Sequence, residues 1–147
     1  LARKYFSKAK SLKRSFDKYA WDGNWFYRAT KDNGQKIGSK VNKEGKIYLN
    51  AQTWSVISGI AEINKQQKAM DSVTKYLLKN NGTLLLHPAY SKPDEMIGYL
   101  TRYAAGRREN GGVYSHAATW SIWAYSILKQ KKMLMKHSED CARFIVE

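Results

Sequence analysis

The residues best suited to chemistry sit together in Tyr19-Ala20-Trp21-Asp22-Gly23-Asn24-Trp25-Phe26-Tyr27-Arg28-Ala29. One carboxylate, Asp22, lies among aromatic side chains, with Arg28 six positions on. Rings stack on the apolar faces of a pyranose, and an acid kept from water holds its proton longer. That combination suits protonation of a glycosidic leaving group. The competing reading is a buried aromatic cluster with Asp22 as a helix cap ahead of Gly23, because aromatic stripes usually form core.

A second group is Gly106-Arg107-Arg108-Glu109-Asn110-Gly111-Gly112-Val113-Tyr114-Ser115-His116. Glycines let a backbone approach a ligand closely. Arginine grips phosphate with a two-pronged fork, and amides at a helix N-terminus favour an anion. The competing reading is a glycine-rich turn whose His116 merely caps the following helix. No metal spacing is present: His87, His116 and His137 are far apart, with no Cys or His pair at helical spacing. No phosphate-binding loop or dinucleotide fingerprint appears.

The chain that must position these residues has 147 of them, enough for one domain with a real core or for part of a larger one. Apolar residues make up 43% and aromatics 13%, which argues against disorder. No apolar run approaches the roughly 20 residues needed to span a bilayer. No secretory leader pattern opens the chain. The single cysteine, Cys141, rules out an internal disulfide, and a reducing cytoplasm is the expected compartment. A net charge of +14, from 26 Lys and Arg against 12 acids, favours anions of any kind. The lysines are spread along the chain, which argues for a solvated surface over a nucleic-acid footprint.

Periodicity predicts a basic helix over 2–18 with Tyr5, Leu12 and Phe16 on one side. A turn at 31–36 suggests a hairpin between Trp25-Phe26-Tyr27 and Lys36-Ile37-Gly38. Lys46-Ile47-Tyr48-Leu49 reads as extended. Asn50 is the expected cap of a helix over 51–61, with Trp54, Ile57 and Ala61 on its buried face. Asn64 is the expected cap of the next helix, which carries the stripe Met70, Val73, Leu77 and stops near Lys79 before Asn80-Asn81-Gly82. These two helices form an αα-hairpin. Residues 89–115 read as an ordered, irregular loop. A helix from His116 carries Trp120, Trp123, Ala124 and Ile127, and a short one is expected over 138–146.

Several of these motifs resemble a known family in register. Trp21-Asp22-Gly23-Asn24-Trp25-Phe26-Tyr27-Arg28-Ala29 resembles the WDGxWxxRA motif of glycoside hydrolase family 94, the cellobiose and chitobiose phosphorylases and cyclic β-1,2-glucan synthases. Glu44 to Gly59, Ala69-Met70-Asp71-Ser72-Val73, and Arg108-Glu109-Asn110-Gly111-Gly112-Val113-Tyr114-Ser115-His116-Ala117 resemble its later motifs. The resemblance covers about residues 19–128. Ala104-Ala105 stand where the family usually has two prolines.

The resemblance implies an all-α chain forming part of an (α/α)6 barrel. Residues 1–147 would be one partial domain, the C-terminal part of the catalytic domain. It implies an inverting enzyme that cleaves a β-glucosidic bond with inorganic phosphate as co-substrate and no cofactor, or extends a glucan in reverse. Asp22 falls on the general acid, His116 on a phosphate position, and Glu109 beside the acceptor sugar. Trp21, Trp25 and Arg28 would shape sugar subsites; Arg107 and Arg108 are added as phosphate neighbours from charge and place. The expected partners are an oligosaccharide or glucan, phosphate and the remaining parts of a longer enzyme. The alternatives are a non-catalytic remnant of such an enzyme, and a basic module that uses the helix at 2–18 on an anionic polymer or lipid.

Overall fold

The computed structural model describes residues 1–130 together with Met133, Met135 and Ser138. Apart from Ser138, the helix expected over 138–146 lies outside the described residues, as do His137 and Cys141. The described chain is mostly helical, with four α-helices joined by long loops and short paired strands. None of its helices is long and apolar enough to cross a membrane.

Helix α1, Ala2–Tyr19, is built from strong helix formers and stands out from the body, with no buried residue. Of its expected apolar side, only Phe16 packs, stacking on Phe26 at 4.5 Å and joining Trp21, Ala61 and Ala69. The hairpin is present but shifted along the chain. Strand β1, Ala29–Thr30, pairs antiparallel with β2, Lys36–Ile37. Trp25-Phe26-Tyr27 is not its first strand because the core claims these residues. Phe26 exchanges both backbone hydrogen bonds with the side-chain amide of Gln52, at 2.8 Å each.

Strand β3, Ile47–Tyr48, runs directly into helix α2, Leu49–Ile57. Tyr48, not Asn50, holds the cap position. The start is set by tertiary pairing: the Leu49 amide donates to Leu85 O at 2.9 Å, so Asn50 falls inside the first turn. Helix α3, Ile63–Tyr76, begins after Glu62, with Asn64 again inside the helix. Its stripe of Met70, Val73 and Leu77 is fully buried, as the spacing predicts. The helix stops short of Lys79, because strand β4, Leu78–Lys79, turns back on β5, Gly82–Thr83. Asn80-Asn81 is a two-residue hairpin turn rather than a helix stop.

Strand β6, Leu86–His87, closes on β3 with Ile47 opposite His87. The loop that follows includes a 3₁₀ turn, Tyr99–Arg102, and is tied down by side chains, among them Thr101, whose Oγ1 accepts from the Asp94 amide at 2.8 Å. Asn110, fully buried, donates to Tyr90 O and Tyr103 O and accepts from the Tyr90 amide. Helix α4, Ser115–Ile127, packs on α2 and buries Ala117, Ala118, Ser121, Ala124 and Tyr125, the Tyr125 hydroxyl donating to Met70 O of α3 at 3.0 Å. The expected face is therefore rotated. Small residues allow the close approach, and Trp123 is left 52% exposed.

Candidate active site

Where the hairpin, the start of α2, the loop before α4 and the first turn of α4 meet, they leave a hollow of about 230 Å³. Arg28, Tyr48, Asn50, Glu109, His116 and Trp120 stand on its wall. Three of these, Arg28, Glu109 and His116, were expected at a site from the sequence. They are separated by up to 88 positions in the chain and are brought together by folding.

Arg28 reaches the hollow because its own amide donates to Ile37 O at 2.7 Å, fixing it at the root of the hairpin. Gly38 makes that approach possible: a Cβ there would lie 2.8 Å from the Arg28 nitrogen, and its φ is +84°. The guanidinium lies over the Tyr48 ring, 5.2 Å from its centroid. The Tyr48 hydroxyl meets that of Tyr90 at 2.7 Å. Burial and then this bond push the Tyr48 hydroxyl far above the ordinary tyrosine range, so it stays protonated. His116, on the first turn of α4, packs edge-on against Trp120 with centroids 4.6 Å apart.

Two acceptors on this wall are buried without a hydrogen-bond partner among the described residues: Asn50 Oδ1 and Glu109 Oε2. The nearest cation to Glu109 Oε2 is Arg108 Nε, at 3.5 Å. Buried polar atoms are almost always satisfied in folded proteins. Acceptors left open beside aromatic rings suit hydroxyl donors, and Arg28 with His116 suits an anion. Asn50, Tyr48 and Trp120 were not singled out as site residues from the sequence. Asn50 was read as a cap and Trp120 as one of a set of residues at helical spacing, and only their distant partners reveal their place.

The other expected residues lie elsewhere. Asp22 is 7% exposed and is not on this hollow. Its Oδ2 accepts from Ser39 Oγ at 2.9 Å and from the Lys40 amide at 2.7 Å. Its Oδ1 lies 3.6 Å from Lys36 Nζ. The rings expected around it pack away from it. Trp21 meets Phe26 edge-on at 4.8 Å. Trp25 is buried, and its Nε1 donates to both Gly38 O and Lys46 O, at 2.9 and 3.0 Å. Arg108 lies over Tyr103 at 4.9 Å and beside Glu109. Arg107 is exposed and is not part of the hollow's wall. Among the described residues no group of His, Cys, Asp and Glu could hold a metal ion.

The sequence matches the Glycosyl hydrolase 94 superfamily, catalytic domain, over residues 1–140. The chain belongs to this family. It is 40% identical over 124 residues to solabiose phosphorylase of Paenibacillus borealis, a match covering 84% of this chain and 16% of that protein. It is 34% identical over 134 residues to N,N'-diacetylchitobiose phosphorylase of Vibrio proteolyticus, covering 90% of this chain and 17% of that one. It is 35% identical over 118 residues to the cyclic beta-(1,2)-glucan synthase NdvB of Rhizobium meliloti (strain 1021), covering 79% of this chain and 4% of that protein. The chain thus spans about one sixth of the length of the two phosphorylases. Within this glycosyl hydrolase 94 chain, the hollow walled by Arg28, Asn50, Glu109 and His116 joins three of the motifs read from the sequence.

Proposed function

We propose that this chain contributes a sugar and phosphate subsite to an inverting β-glycoside phosphorylase whose full catalytic domain is an (α/α)6 barrel. The observation that carries the reading is the pair of buried acceptors without a hydrogen-bond partner, Asn50 Oδ1 and Glu109 Oε2, belonging to residues on a wall shared with Arg28 and His116. Glu109 and Asn50 accept hydrogen bonds from hydroxyls of the sugar. Tyr48 and Trp120 offer ring surface to its apolar faces. Arg28 and His116 hold inorganic phosphate, which attacks the anomeric carbon from the face opposite the leaving group. Phosphate arrives already charged, so no carboxylate base is needed. The phosphorylase names of the relatives support the reaction class.

For Asp22 the contacts favour a positioning role over proton donation. Its carboxyl is engaged by Ser39, Lys40 and Lys36, and it stands off the hollow. The proton donor is then supplied by another part of the family's longer catalytic domain.

The test places residues 1–147 in the frame of solabiose phosphorylase and measures phosphate release from a sugar 1-phosphate with an acceptor sugar. His116→Ala and Arg28→Ala are expected to lower kcat/KM by about 10² or more, the scale of losing one stabilising donor. Asp22→Asn is expected to stay within about tenfold with an unchanged pH profile. A loss of about 10³ or more at unchanged melting temperature would restore Asp22 as the acid. Full activity in both His116→Ala and Arg28→Ala would remove the hollow from the mechanism.

A further inference from the structure

On another part of the molecule a second hollow, of about 330 Å³, lies between the loop 38–46, strand β6 and the end of α3. That volume is within the usual range for small-ligand sites, about 300 to 1,000 Å³. Its wall carries Lys40, Lys46 and His87, and no carboxylate. Trp25 and Tyr76 meet edge-on beside them, with ring centroids 5.5 Å apart. The larger groove near the hairpin, about 910 Å³, differs in kind. It mixes lysines with Glu44, Asp94 and Glu95, and its Lys31 is already paired with Asp94 at 3.0 Å.

The basic residues of the second hollow are held by their backbones. The Lys40 amide is fixed by Asp22 Oδ2 at 2.7 Å. The Lys46 carbonyl is fixed by Trp25 Nε1 at 3.0 Å. His87 is fixed in the β3–β6 pair, opposite Ile47. Among the described residues neither ammonium group is in an ion pair, and the His87 ring has no polar partner. Two ammonium groups on one wall, neither in an ion pair, repel one another, and an anion between them relieves that repulsion. The same crowding shows at His87, whose pKa lies below its ordinary value through burial and then the charges of Lys79 and Lys46.

We propose that the hollow walled by Lys40, Lys46 and His87 over Trp25 and Tyr76 binds a phosphate group, either as inorganic phosphate or as the phosphate of a phosphorylated sugar. The ammonium groups and the imidazole take the oxygens, and in the second case the rings take the sugar. This site is separate from the Arg28–His116 hollow and does not depend on the function proposed for it.

The chain has three histidines, so imidazole NMR signals report the two hollows independently. The experiment titrates the 147-residue chain with sodium phosphate, with glucose 1-phosphate and with glucose, at ionic strength held constant with chloride. The expected result is a saturable shift of the His87 signals with both phosphates and none with glucose. Lys40→Ala and Lys46→Ala each weaken it by about tenfold, the scale of one charge-assisted hydrogen bond. Lys40 is exposed and Lys46 half-buried, and amide dispersion in the parent and variant spectra checks that the fold is kept. Glucose 1-phosphate binding severalfold tighter than phosphate assigns the rings to a sugar; equal affinity assigns the site to the free ion. A His87 response that does not saturate, or that survives unchanged in the Lys40→Ala, Lys46→Ala double variant, overturns the proposal. His116 shifting while His87 stays still also overturns it and leaves the first hollow intact. His87 shifting while His116 stays still supports this site and counts against the other.

Discussion

Asn110 shows how much one side chain can organise. Its amide holds Tyr90 and Tyr103 at once, so the loop before α4 is tied down next to the carboxyl of Glu109. Asn110→Ala leaves buried backbone groups without partners, and a loss of about 3 kcal/mol is expected in urea unfolding. His87 gives the chain a pH-dependent stability. Its folded pKa lies below the ordinary 6.5, so the unfolded chain binds more protons over the interval between the two values. Stability therefore rises with pH through that interval and is level in this respect above 6.5. Chemical denaturation across that range should show the slope in the parent and a reduced slope in His87→Gln. Arg28, Glu109 and His116 were expected at a site from type and motif, and folding brings them onto one wall. Asn50 was not expected on that wall, because its neighbours suggested a helix cap.

Among the elements, α1 is the one least tied to the rest. Tyr5 and Phe6 are 64% and 76% exposed, while Phe16 alone carries the packing against Phe26. Deleting residues 1–13 is expected to change unfolding free energy by less than about 1 kcal/mol, whereas Phe16→Ala should cost about 2 kcal/mol. Thermal melts of the two variants check this. The helices were legible because their apolar periods are strong, most plainly in Met70, Val73 and Leu77. The short strand pairs were not. Each strand is only two residues long, and β3 finds its partner in β6 far along the chain, so no local pattern announces it. On α4 the fully buried positions are alanine, serine and Tyr125, while Trp120 meets Trp54 of α2 edge-on at 5.3 Å and Trp123 is left exposed.

For the molecule as a whole, the outer sides of α2 and α4 carry an apolar surface. Trp54, Trp123 and Ile127 are 43%, 52% and 43% exposed. Patches of this kind usually mark contact with something else. At micromolar concentration the 147-residue chain should therefore bind a hydrophobic dye and self-associate, and the paired change Trp123→Lys, Ile127→Lys should suppress both. Sedimentation velocity and dye fluorescence are the measurements. Finally, the indole of Trp25 shares one proton between the carbonyls of Gly38 and Lys46. One donor thus staples both ends of the intervening loop to the interior. That loop is not a flap that folds over a visitor. Whatever docks against Lys40 and Lys46 meets a surface whose ordering was completed during folding, so capture there is governed by encounter rather than by closure.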